Sequence, residues 1–149
     1  MAFPAEFERD FIRYAVVDKP ERRIVRFLYV NAEALAAARP GEPLPYGTVL
    51  VMADRRARLD ADGNPLLDRD GRMIAEPEVI AISVQRKERG WGEGYPPARR
   101  NGEWEYASFA ADGKRREVRL DGCFSCHLQA RSAQDYTFVL WDYVQARGQ

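Results

Sequence analysis

The stretch Glu78-Val-Ile-Ala-Ile-Ser-Val-Gln-Arg-Lys87 decides the fold class. Ile80, Ile82 and Val84 recur at every second residue, which puts them on one face of an extended chain and scatters them around a helix. Working outward, Thr48-Val-Leu-Val-Met52 is a second β-branched run, entered through Gly47. Glu103-Trp-Glu-Tyr-Ala-Ser-Phe109 is a third, closed by the turn Ala111-Asp-Gly-Lys114. Tyr136-Thr-Phe-Val-Leu-Trp141 is strand-like by composition. Upstream, residues 5–16 place Phe7, Phe11 and Ile12, with Tyr14 or Ala15, on one helical face. After Lys19-Pro20, Glu21 to about Ala38 reads as a second helix, which Asn31 divides by capping its latter part. Arg39-Pro-Gly-Glu-Pro-Leu-Pro45 is loop. Helices first and sequential strands afterwards predict an α+β fold, N-terminal helices followed by an antiparallel β-sheet.

The 149 residues show no linker and read as a single domain over 1–149, with a core large enough to enclose a cofactor. Basic and acidic residues balance at 23 each, so no global field points to nucleic acid or an anionic membrane. No apolar run approaches the roughly 20 residues needed to span a bilayer. Leu59-Asp-Ala-Asp-Gly63 recurs as Leu67-Asp-Arg-Asp-Gly71. The clustered carboxylates raise the question of calcium, but the glycine and glutamate positions of an EF-hand loop are unmet, and Asp-Gly is ordinary turn chemistry.

Both cysteines and the only histidine of the chain fall within Cys123-Phe124-Ser125-Cys126-His127. Two thiols at this spacing, followed directly by an imidazole, are the signature of c-type haem attachment: two thioethers and an iron ligand. A thioredoxin-like redox pair is placed differently in its fold, and a structural zinc wants a fourth ligand. A plain disulfide leaves His127 unexplained. Met1-Ala-Phe-Pro-Ala-Glu6 has neither the basic start nor the apolar middle of a signal peptide, whereas haem c is attached outside the bacterial cytoplasm. The expectation is a periplasmic protein whose leader has been removed.

The motif stands near the C-terminus with no Met after it, which excludes the common helical electron-transfer cytochromes. The strand-rich middle argues against a four-helix bundle, so the haem is expected against a sheet. With no second His, the far side of the iron faces Met1, Met52, Met73, a lysine, water or nothing. Met52, at a strand end, is the methionine best placed to ligate, although methionine is more often a gap-filler. An open distal site, suited to a small ligand, is the leading expectation.

Several strings now carry a resemblance. They are Pro45-Tyr-Gly-Thr-Val-Leu-Val-Met52, a strand ending Arg86-Lys87, Gly90-Trp91-Gly92 and Arg100-Asn-Gly-Glu-Trp-Glu-Tyr106. With Cys123–His127 and Asp135-Tyr-Thr-Phe138 they resemble the cytochrome P-460 family, which includes the β-type cytochromes c-prime, from about Arg23 to Leu140. The resemblance implies a sheet-dominated fold, a homodimer, and one haem c bound through Cys123 and Cys126 with His127 on the iron. It also implies oxidation of hydroxylamine or binding of nitric oxide and related gases; a redox partner protein is expected as well. P-460 members proper cross-link a lysine to the porphyrin and use a distal acid.

The chain has three lysines, Lys19, Lys87 and Lys114. The strand where the cross-linking residue is sought carries Met52 instead. Lys19 precedes the main predicted helix and Lys114 lies in a turn, which leaves Lys87 as the catalytic candidate, although a lysine at a strand end is ordinarily solvated. For the acid, Ser83 and Gln85 occupy the strand, and Glu88 follows just beyond it. Trp91, Trp104, Tyr106 and Phe124 read as haem-packing or sheet-packing aromatics, and Arg26 is a candidate partner for a haem propionate. Nitric oxide binding at an open site is therefore expected first. Hydroxylamine oxidation through Lys87 and electron transfer with Met52 as sixth ligand are the alternatives.

Overall fold

The computed structural model describes residues 1–97, 100–118, 120, 123, 126–127, 134–135 and 137–147. Five strands form one sheet in the order β1-β2-β3-β4-β5, every neighbouring pair antiparallel. They are β1 (Phe11–Lys19), β2 (Ile24–Asn31), β3 (Val49–Ala57), β4 (Ala75–Lys87) and β5 (Trp104–Phe109).

The long N-terminal helices expected from the sequence are replaced by β1 and β2, and helix survives only as α1 (Phe7–Asp10) and α2 (Ala32–Ala37). Ile24-Val-Arg-Phe-Leu-Tyr-Val30 sets Phe27 and Tyr29 against the core on one face and Leu28 and Val30 on the other, so it is apolar almost throughout and shows no period of two. A 3₁₀ turn at Pro20–Arg22, ending on Arg23 in the left-handed region, reverses the chain between the two strands. Asn31 stands at the start of α2, but its side chain does not cap it. Its Nδ2 donates to the Gly47 carbonyl at 2.9 Å and its Oδ1 accepts from the Val49 amide at 2.8 Å, tying the entry of β3 to the end of β2.

The two Asp-Gly repeats are turns between β3 and β4. Asp60 Oδ1 accepts from the amides of Asp62 and Asn64, and Asp68 Oδ1 from those of Asp70 and Arg72. Glycines 63 and 71 supply the positive φ each turn needs. Among the described residues, no group of three or more His, Cys, Asp or Glu could hold a metal ion.

Cross-strand pairing sorts the sheet into two faces. One carries Phe27, Ala53, Ile82 and Phe109 in one row and Tyr29, Val51, Val84 and Ala107 in the next. Phe3 and Phe7 close over this face, with Phe7 edge-on to Tyr29 at 5.1 Å. The other face carries the rows Arg26–Asp54, Leu28–Met52–Ser83 and Val30–Leu50–Gln85–Tyr106. Over its Val30 end packs α3 (Val139–Arg147), burying Leu140 and Val144 one turn apart. The strand expected at Tyr136–Trp141 is thus helix from Val139 onward, and Tyr136 lies outside the described residues. No described helix is long and apolar enough to cross a membrane.

Candidate functional site

Between the second face and the C-terminal segment lies a cavity of about 350 Å³, within the range of small-molecule sites. The sheet contributes Leu28, Leu50, Met52, Ser83, Gln85 and Tyr106, and Cys123, Cys126, His127, Phe138 and Leu140 complete the wall. Cys123, Cys126 and His127 have helical backbone. At i, i+3 and i+4 they share one helix face, which is how the local sequence aims three reactive groups at one space.

Both thiols are free. Cys123 is half-buried and packs against the cluster containing Val30, Leu50 and Tyr106, while Cys126 is exposed. Burial pushes the Cys123 thiol up and keeps it protonated at neutral pH. The His127 ring meets Tyr106 at 5.3 Å and Phe138 at 5.2 Å between centroids. Asn101 Nδ2 donates to the Tyr106 hydroxyl at 3.0 Å, and burial drives that phenol far above its ordinary pKa.

Among the described lining residues, lysine and arginine stand at the far end. Arg26 lines the cavity and is gripped by Asp54 through Nε at 2.8 Å and Nη2 at 3.0 Å; Lys19 lines the same end. Arg26 and Val30 are separated by four residues of strand, about 13 Å. One edge of the cavity therefore presents two thiols and the opposite edge two cations, over an apolar floor.

This arrangement fits a haem, whose vinyl and propionate edges are opposite one another. Phe138 and Val139, 38% and 40% exposed, line the cavity and offer apolar surface for a flat ligand to cover. The Cytochrome P460 family model matches residues 4–139. The chain belongs to the cytochrome P460 family. Among curated proteins, none matches it. Membership supports a haem protein acting on nitrogen species.

Of the candidates that the P460 resemblance singled out, Met52 lines the cavity, between Leu28 and Ser83 on neighbouring strands. Lys87 shares the face of Ser83 and Gln85 but does not line the cavity. It is 6% exposed, not solvated, and its ammonium bonds Asp135 and the Leu44 carbonyl. Glu88, just beyond β4, accepts from Arg86 Nη2 at 2.9 Å. Neither is among the described residues that line the cavity. Met73 is buried with Val25 and Ala57 elsewhere. Trp104 is fully buried in the core and Trp91 lies under the Arg86 guanidinium, whereas Tyr106 reaches the site. Phe124 and Ser125 lie outside the described residues.

Sequence reasoning missed the placement of Lys19, the Arg26–Asp54 grip, and Asp135. The mistaken N-terminal helices hid the first two. Once Ile24–Asn31 is a strand, Arg26 falls on the same face as Leu28 and Val30.

Proposed function

We propose that this chain is a periplasmic mono-haem c protein that binds nitric oxide or a related small nitrogen species on an open distal side. The observation that carries this is the composition of the cavity: one imidazole, and no carboxylate among the described residues lining it. When bound, a haem held by one protein ligand supplies a coordination position and a one-electron redox centre. Cys123 and Cys126 hold the group through thioethers, and His127 takes the iron. Arg26 and Lys19 receive its carboxylates, with Asp54 fixing the guanidinium so that little side-chain entropy is lost on binding. Leu28, Leu50 and Leu140 exclude water from its faces. Ser83 and Gln85 are neutral hydrogen-bonding groups suited to orienting a polar diatomic ligand, and neither can serve as the acid or base of an oxidation.

The homodimer that the family implies, and a redox partner protein, belong to the same proposal. Hydroxylamine oxidation is disfavoured by the absence of a carboxylate among the described lining residues and by the engagement of Lys87. Electron transfer with Met52 as sixth ligand remains the second reading, because Met52 lines the cavity. Titration of the reduced holoprotein with nitric oxide tests the proposal. A stoichiometric change in the visible spectrum, with no acceptor reduction when hydroxylamine is supplied, is expected. Steady hydroxylamine-dependent reduction of an acceptor would overturn it.

A further inference from the structure

We propose that Lys87 and Asp135 form a buried clamp that positions the His127 imidazole through Phe138. The proposal rests on His127 holding the haem iron. Lys87 Nζ donates to Asp135 Oδ2 at 2.7 Å and to the Leu44 carbonyl at 2.8 Å, and the same Asp135 oxygen accepts from the Leu44 amide at 2.9 Å. These three groups close a ring that joins the end of β4, the loop before β3 and the C-terminal segment. The two charged side chains are only 8% and 10% exposed. The rings of Tyr46 and Trp104 flank the ammonium at 5.6 and 5.9 Å. A charge pair this deep is tolerated only with good geometry and further hydrogen bonds, and Leu44 supplies both.

What the ring fixes is the backbone leading to His127's neighbour. Asp135 sits at φ +47°, a left-handed conformation that a non-glycine residue keeps only where its surroundings over-determine it. Thr137, 1% exposed, is the next anchor; its amide and hydroxyl both donate to the Gln134 carbonyl. Phe138 follows directly and meets the His127 ring at 5.2 Å, inclined by 57°. Phe138 stands next to Thr137 in the chain, directly before α3, so its backbone is set by these anchors. Its place is inherited from Asp135 and Thr137. Groups that orient a ligating imidazole govern how well its nitrogen donates to the metal, even without touching the metal. Lys87 is thus a positioning residue and not a cross-linking one.

Resonance Raman spectroscopy of the ferrous holoprotein at the iron–histidine stretch tests this. Lys87→Met is expected to shift and broaden the band, and Lys87→Arg to restore it. Lys87→Met with Asp135→Leu keeps the site filled with apolar volume and avoids a stranded charge, and it should shift the band as Lys87→Met does. Phe138→Ala should produce the same shift, and Lys87→Met with Phe138→Ala no more than Phe138→Ala alone. An unshifted band in the folded Lys87→Met/Asp135→Leu protein, or additive shifts in the Phe138 combination, would overturn the clamp. A wild-type protein with no iron–histidine band would instead overturn the role of His127, a failure distinct from the first two.

Discussion

Arg26 and Asp54 face one another across β2 and β3 with side chains 16% and 11% exposed, deep enough for either charge alone to be costly. Arg26→Ala should cost about 2–3 kcal/mol in chemical denaturation, largely from the stranded carboxylate. Arg26→Met with Asp54→Leu should recover most of that while weakening the seat for the haem carboxylates. At Met52 the expectation is an absence of effect: Met52→Ala should leave the spin state of the ferric haem unchanged by electron paramagnetic resonance. Conversion from low to high spin would make Met52 a ligand. The two cysteines should be separable as well. Cys126→Ser is expected to retain haem through one thioether at Cys123, and Cys123→Ser with Cys126→Ser to release it into acidified organic solvent.

Among the elements, the excursion between β3 and β4 is pinned to β1 by Asp18. Its carboxylate accepts from Arg72 Nε at 3.1 Å and from the Met73 amide at 3.0 Å. The Arg72 hydrogen bond, with the Met73 amide assisting, holds the Asp18 carboxyl below its ordinary value against the opposing effect of desolvation. A folded-state pKa below the unfolded one stabilises at pH above about 4 and is lost as pH falls further, through the folded value. Asp18→Asn should therefore lower the melting temperature at neutral pH, with the difference from wild type vanishing at acid pH. The elements also show why the sequence was only partly legible. β4 alternates, because the Ser83–Gln85 face meets a cavity while the Ile82–Val84 face meets the core, and so it could be read directly. β2 carries apolar residues on both faces, Phe27 and Tyr29 toward the core and Leu28 and Val30 on the other side, and β1 is interrupted by a bulge between Arg13 and Ala15, so neither shows its period. The Cys123–His127 motif needed no fold to be read. Asp135 and Lys87 lie 48 positions apart, and only the folded chain joins them.

For the whole molecule, the single sheet divides labour between its faces. One is sealed by Phe3, Phe7 and the Ile82 and Val84 rows; the other is left open over Met52 and Ser83. Ile82, 2% exposed, belongs to the sealed face, and Ile82→Ala should destabilise by about 2–5 kcal/mol without altering the haem spectrum. That separation follows from a site built on rigid strands whose support comes from behind. On the proposed reading, the open face is functional because His127 would hold a haem iron there and leave a position for a small ligand. The most direct measurement is the visible spectrum of the reduced holoprotein before and after exposure to carbon monoxide. The expected result is a five-coordinate, high-spin spectrum that converts on adding the gas. A low-spin spectrum that carbon monoxide leaves untouched would mean that a side chain already fills the sixth position, and that the distal site is closed.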